Sequence, residues 1–233
     1  MRFPDPLIRG RLVRRYKRFL SDVELPSGHQ VVAHCANPGS MLGLAEPGME
    51  VWLSPARNPA RKLKYTWELV DAGSGLVGIN TGHPNAIVAE ALAAGKVPEL
   101  AGYGGLLREV RYGRNSRIDI LLEHDGRPLC YVEIKSVTLK RGAEAAEFPD
   151  AVTQRGAKHL AELSEMAESG ARAVMFFLVQ RSDCARLEIA GDIDPGYQDA
   201  LQSALGRGVE AMCYTCKVAP EAIELDRGLA LAL

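Results

Sequence analysis

The spacing of hydrophobic and polar positions changes near residue 80. Before it, short apolar runs are broken by turn residues. LVRRYKRFLSDVEL mixes apolar and basic residues in partial alternation, and VVAHC, MEVWLSP, KYTWELVDAG and LVGIN read as strands, with PSGH and NPGS as turns. Short strands returning at intervals of roughly 8–12 residues predict a small barrel, of a size that suits an OB-like fold. After Asn80, PNAIVAEALAAG carries Ile87, Val88, Ala91 and Leu92 at helical spacing, with Gly95 as a stop. Three strands follow, at 105–111, 116–123 and 129–137. FPDAVTQRGAKHLAELSEMAESG predicts a second helix, capped by Asp150 and ended by Gly170. RAVMFFLVQR has the continuous apolar run of a buried strand. A helix over 195–206 and a strand in VEAMCYTCKV complete the order α-β-β-β-α-β-α-β, an α/β domain with a mixed sheet. The expected domains are 1–80 and 81–233.

The 233 residues are 47% hydrophobic, enough for a sizeable core in one large or two modest domains. The net charge of -1 excludes a polycation, so any polyanion surface has to be local. Charge is uneven along the chain. Arg2, Arg9, Arg11, Arg14, Arg15, Lys17 and Arg18 face one acid, Asp5, in the first stretch, and Arg57, Arg61, Lys62 and Lys64 form a second cluster. No apolar run reaches the roughly 18 residues of a membrane span. MRFPDPLIRG lacks the apolar stretch of a signal peptide. Five sparsely spaced cysteines fit a reducing cytoplasm, and the Cys213–Cys216 pair reads as strand or loop cysteines rather than a metal half-site.

The chemistry concentrates in SRIDILLEHDGRPLCYVEIKSVT. The segment predicts a hairpin whose loop, His124 to Pro128, centres on Gly126. If Glu123 pairs with Leu129, Asp119 falls opposite Glu133 and Arg117 opposite Lys135. Alternation then puts Arg117, Asp119 and Leu121 on one face with Glu133 and Lys135, and Ile118, Ile120 and Leu122 on the other. Facing partners lie about 5 Å apart at Cβ. Two carboxylates that close call for a cation, and oxygen ligands favour Mg²⁺ or Mn²⁺, with the Ile134 carbonyl as a further ligand. The plainer alternative is an ion-paired sheet face in which Asp119 meets Lys135 or Arg117. Gln154 and Thr153 at the start of the next helix and Glu90 below the sheet are further candidates. Arg155, Lys158 and His159 lie near them, with His34, His83 and His159 expected to be structural or surface residues rather than metal ligands.

Asp119, then Glu133-x-Lys135 on the next strand, then Gln154 on a helix, resembles the PD-(D/E)xK nuclease superfamily, with Ile118 in place of the usual proline. A broader likeness spans nearly the whole chain. His34-Cys35-Ala36-Asn37-Pro38-Gly39-Ser40-Met41, Asn80-Thr81 with Pro84-Asn85, Ser116-Arg117-Ile118-Asp119, YVEIKSVTL, FPDAVTQRGAKHLAEL, Asp192-Ile193-Asp194-Pro195 and Gly208-Val209-Glu210 resemble the sugar fermentation stimulation protein family. That resemblance implies an OB-like domain joined to a restriction-endonuclease-like domain, DNA binding, and a link to maltose metabolism genes.

These readings set expectations for partners and sites. DNA is the expected partner, bound with little sequence specificity, with no membrane partner and a homodimer allowed. Asp119, Glu133, Lys135, Gln154 and Glu90 form the expected catalytic set, and Asp119, Glu133 and Ile134 the metal set. The nucleic-acid face is assigned to Arg11, Arg14, Arg15, Lys17, Arg18, Asn37, Ser40, Lys62 and Lys64, with Tyr16, Phe19 and Tyr65 as stacking or core residues. Three functions stay open: a metal-dependent nuclease, a non-catalytic DNA-binding regulator of sugar metabolism genes, and a protein or small-molecule interaction module. No helix-turn-helix pattern supports promoter reading.

Overall fold

The computed structural model describes residues 1–113 and 116–232 of the chain. The amino-terminal part forms β1 (Ile8–Tyr16), β2 (Leu20–Glu24), β3 (Gln30–Cys35), β4 (Glu50–Pro55), β5 (Tyr65–Asp71) and β6 (Leu76–Gly78). Their order is β3-β2-β1-β4-β5-β6, and a parallel β3–β5 pairing closes the first five strands into an OB-like barrel. Leu12, Val23, Leu53 and Trp67 fill its centre. LVRRYKRFLSDVEL spans two strands, β1 and β2. The chain reverses at Lys17 and Arg18, whose φ angles of 47° and 64° are left-handed. Neither residue is a usual turn former, so nothing local marked the reversal.

The rest of the chain forms α1 (Pro84–Ala93), a short 3₁₀ turn (Pro98–Leu100), β7 (Gly105–Tyr112), β8 (Ser116–Glu123), β9 (Cys130–Val137), β10 (Ala145–Phe148), α2 (Gln154–Glu168), β11 (Arg172–Val179), β12 (Arg186–Ile189), α3 (Pro195–Gly206), β13 (Glu210–Ala219), β14 (Ala222–Gly228) and β15 (Ala230–Ala232). The main sheet runs β14-β13-β11-β9-β8-β7, parallel through β9, β11 and β13 and antiparallel outside them, so it is mixed as expected. A small parallel sheet, β10-β12-β15, was not anticipated. Its strands have four, four and three residues. Such lengths are too short for alternation to show.

Helix α2 starts later than its apolar pattern implied. Thr153, not Asp150, is the cap: its side chain accepts from the Gly156 N–H at 3.0 Å. Asp194 caps α3 through the Tyr197 N–H and also accepts from the Thr153 N–H at 2.7 Å, which ties the two helix starts together. Asp150 instead lies against Gly39 of the barrel, where a Cβ would stand 2.1 Å from its carboxylate.

Apolar cores form on both faces of the main sheet. Leu160 and Leu163 of α2 and Tyr197 and Leu201 of α3 cover one face, and Ile87 and Val88 of α1, with Leu69 of β5, cover the other. Barrel and sheet therefore share a core. Cys213 and Cys216 fall into opposite cores, as residues three apart on a strand must, so the pair forms no common ligand set.

A buried carboxylate joins the barrel to α1. Glu68 accepts from Ser54 Oγ at 2.6 Å, Asn80 Nδ2 at 2.8 Å and His83 Nε2 at 2.7 Å. Burial pushes this carboxyl up, but His83, Ser54 and Asn80 together hold it below the usual range. Glu68→Ala strands three polar partners and is expected to cost about 2–5 kcal/mol. The check is a fall in the urea midpoint at unchanged slope. Glu68→Gln, which keeps part of the network, should fall less.

Candidate metal centre and nucleic-acid interface

The hairpin register follows the turn arithmetic as far as Ile120. Leu122 faces Cys130, Leu121 faces Tyr131 and Ile120 faces Val132. There the described β8–β9 ladder ends. Asp119 and Arg117 are not rungs opposite Glu133 and Lys135, although on the other edge of β8 Arg117 still pairs with Arg111 of β7. In place of a rung, the Ile134 N–H donates to Asp119 Oδ2 at 2.7 Å. The distortion also overturns the expected facing of Ile118. Ile120 and Leu122 enter the α1 core, whereas Ile118 enters the α2 core with Leu121.

Asp119 is held on both oxygens, since Asn85 Nδ2 donates to Oδ1 at 2.8 Å. The same amide nitrogen reaches Glu109 Oε1 at 2.9 Å. Glu109 is an exposed β7 residue at φ 55°, a strained left-handed position for a non-glycine.

Glu133 is 2% exposed. Its Oε1 accepts from Lys135 Nζ at 2.8 Å and from the His159 ring, while Oε2 has no hydrogen-bond partner. Arg155 Nε donates to His159 Nε2 at 3.2 Å. Lys135 Nζ lies 3.3 Å from the ring's Nδ1, the nitrogen that faces Glu133. Burial pushes Glu133 up, but His159 and Lys135 hold it below the usual carboxylate range. Asp119 goes the other way. Burial, then the charge of Glu133, push it up to about 6 against the Ile134 N–H and Asn85.

A cleft of about 410 Å³ opens over these groups, and Arg108, Arg155 and Thr81 also line it. Its donors are oxygens, which suit a hard cation. Among the described residues no cluster of three or more His, Cys, Asp or Glu side chains could hold a metal. A third protein ligand therefore has to come from the backbone. The Ile134 carbonyl leaves β9 on the same edge as the N–H that reaches Asp119. The buried, unpartnered Oε2 of Glu133 is the second observation that fits a cation here.

The other expected site residues lie elsewhere. Gln154 is exposed in the first turn of α2 and does not line the cleft; Arg155 and His159, on the inward side of that turn, do. Glu90 is not a third carboxylate for this site, because it pairs with the Met1 ammonium at 2.7 Å beside Leu225. Glu109 lines the cleft and shares the Asn85 amide with Asp119, but among the described residues it adds no third side-chain ligand. His159 had a legible signal, a polar ring beside Leu160 on the apolar stripe of α2. Glu109 had none, since its position depends on a distorted strand.

Much of the expected basic face is used within the barrel. Arg14 pairs with Asp22 at 2.7 Å and lies over the Tyr16 ring. Arg15 donates to the carbonyls of Arg18, Asn37, Gly39 and Ser40. Arg11 bonds the Gly48 carbonyl and Lys64 the Pro59 carbonyl. Asn37 is buried, donating one amide hydrogen to the Ile79 carbonyl and accepting from the Gly39 N–H, so it holds the turn in shape. Ser40, Lys17, Arg18 and Lys62 remain exposed, and the three cations have no carboxylate partner among the described residues. Phe19 is 43% exposed and stacks on His34. Tyr16 bonds Asp22, and Tyr65 packs on the barrel core. No helix among the described residues is long and apolar enough to cross a membrane.

Comparison with known proteins agrees with this architecture. A family model described as the SfsA N-terminal OB domain matches residues 13–79, and one described as the sugar fermentation stimulation protein RE domain matches residues 82–222. The sugar fermentation stimulation protein homolog of Paramagnetospirillum magneticum is 61% identical over 233 residues, covering 100% of this chain and 98% of that protein. The homolog of Rhodospirillum centenum is 60% identical over 232 residues, covering 100% of both. The solved structure of Pyrococcus furiosus SfsA in complex with Ca²⁺ is 26% identical, with a TM-score of 0.89 over 100% of this chain and 98% of that one.

The raised pKa of Asp119 has a testable sign. The folded chain holds this proton more tightly than the unfolded chain does. The group's stabilisation is therefore complete below the unfolded value of 3.8 and is lost as pH rises through about 6. At about 1.4 kcal/mol per unit, the loss by neutral pH is at most about 3 kcal/mol. In chelator, the thermal midpoint of the wild type should fall relative to Asp119→Asn between about pH 4 and pH 7. Added Mn²⁺ should remove that difference, and parallel pH profiles in chelator would refute the assignment.

Proposed function

This chain belongs to the sugar fermentation stimulation protein family, and we propose that it is a cytoplasmic DNA-binding protein with a divalent-metal-dependent phosphodiesterase site. Residues 81–233 carry the nuclease site, and residues 1–80 form the nucleic-acid-binding barrel. One observation carries the proposal: Asp119 is fixed where the β8–β9 ladder opens, beside a buried Glu133 with one unpartnered oxygen. Asp119, Glu133 and the Ile134 carbonyl are the ligands for Mg²⁺ or Mn²⁺. Such an ion, when bound, polarises a phosphoryl oxygen and acidifies its water. The Ca²⁺ bound by the Pyrococcus furiosus relative is a hard cation with the same preference for oxygen.

The chain's own groups then have distinct tasks. Asn85 and the Ile134 N–H orient Asp119. His159, itself held by Arg155, fixes Glu133. Lys135, Arg108 and Arg155 line the cleft with positive charge and meet the phosphate. Lys17, Arg18 and Lys62 contribute salt-dependent contacts that do not depend on sequence.

A second reading is a DNA-binding regulator of sugar metabolism genes with an idle nuclease core. It is favoured by the Lys135 ammonium, which lies 2.8 Å from Glu133 Oε1 and offsets its charge. Wild type, Asp119→Ala and Glu133→Gln assayed on single- and double-stranded DNA with Mg²⁺ or Mn²⁺ separate the two. The proposal expects cleavage to fall about 10²–10³-fold in both variants, equivalent to several kcal/mol of lost stabilisation. DNA affinity and its salt slope should change little. Equal cutting by all three proteins would overturn it, and salt-sensitive binding with no cutting in any metal would leave the regulator.

A further inference from the structure

A second cavity, of about 270 Å³, adjoins the carboxylate cleft, and Thr81 and Ser136 line both. Pro38 of the barrel forms one wall. Leu139, Phe148 and the 72%-exposed Val152 form others, and Thr138 and Asp150 supply polar groups. The Phe148 ring is held edge-on by Phe177 at 5.6 Å and Tyr197 at 5.1 Å, so this wall is firm.

The two spaces have opposite chemistry. Arg108, Lys135 and Arg155 line the cleft, whereas no Lys or Arg is among the described residues lining the cavity, which carries the Asp150 carboxylate and that of Glu147, the latter paired with Arg141. A phosphate is repelled from such a cavity, but a flat, uncharged ring with hydrogen-bond donors is accommodated. The volume lies at the lower edge of small-ligand sites, which begin at roughly 300 Å³. It suits one nucleoside and excludes a stack of base pairs. Lys135 and Thr138 lie three residues apart on one chain, about 10 Å at strand spacing, within reach of a single extended nucleotide.

Resting on the phosphodiesterase reading above, we infer that this cavity takes one unstacked nucleobase from the strand whose phosphate occupies the cleft. The substrate is then single-stranded nucleic acid, or a strand with an unpaired nucleotide at that point. A base inside a duplex is stacked on both sides, and extruding it costs free energy that an unpaired base does not incur. Phe148 and Pro38 offer apolar surface to the ring. Asp150 accepts from ring or amino N–H groups, so adenine, cytosine and guanine fit better than an abasic residue.

The test is binding in Ca²⁺ to short oligo-deoxyadenosine strands with a single abasic residue moved stepwise along them. Wild type is compared with Val152→Trp and Val152→Glu. Val152 is exposed, so either change narrows the cavity without entering a core, and the glutamate controls for new stacking by tryptophan. One abasic position is expected to weaken wild-type binding about tenfold. The same position should matter less than about twofold in both variants, because filling the cavity and removing its base are not additive. Mn²⁺ affinity should be unchanged. Wild-type binding that ignores every abasic position, or that prefers fully paired duplex, overturns the inference even if Asp119→Ala abolishes cutting. A preserved abasic effect with no cutting in any metal sinks the nuclease reading and leaves the base cavity standing.

Discussion

A single hydrogen bond, from the Ile134 N–H to Asp119 Oδ2, organises the site. In a regular antiparallel ladder that N–H would meet a backbone carbonyl of the neighbouring strand. Here a carboxylate takes its place, and the described rungs between β8 and β9 stop at Ile120 and Val132. The exchange keeps a buried donor satisfied while bringing an acid toward Glu133. It also turns Ile118 into the opposite core from Ile120. The electrostatic consequence is a matched contrast, with Asp119 pushed up to about 6 and Glu133 held low by His159 and Lys135. Two acids so close, one with an unpartnered buried oxygen, are far from an indifferent surface ion pair.

The barrel takes part in this geometry from a distance. Glu68 gathers Ser54, Asn80 and His83, and thereby fixes the residues that lead into α1. Pro84 starts that helix and Asn85 follows, with its amide shared between Asp119 and Glu109. A buried carboxylate of the barrel thus acts through one helix start on a carboxylate of the cleft. Glu109 holds a left-handed backbone where β7 passes the site, a strain of about 1–3 kcal/mol that neighbouring rungs at Arg108 and Val110 must offset.

Charge is distributed differently from what the first twenty residues suggest. Arginine has five donors, and a barrel with irregular turns uses them. Arg15 satisfies three carbonyls of the Asn37–Ser40 turn and that of Arg18, and Arg14 is neutralised by Asp22. The cations best placed to meet a phosphate at the carboxylates, Arg108, Lys135 and Arg155, come from the other half of the chain. Basic residues that crowd together in sequence are here partly structural, while those that converge in space are scattered.

The sequence by itself determined the barrel, the mixed sheet, the hairpin about Gly126, its register from Leu122 to Ile120, and the nearness of Asp119, Glu133 and Lys135. Alternation, turn chemistry and hairpin closure act over a few residues, so they can be read without the fold. Tertiary structure alone decided that Asp150 meets Gly39 rather than capping α2, that Glu90 leaves the site to pair with Met1, and that the Asn85 amide completes it. Tertiary structure also decided where the ladder opens. Each of these depends on which surfaces pack together across long stretches of chain, and no local period carries that information.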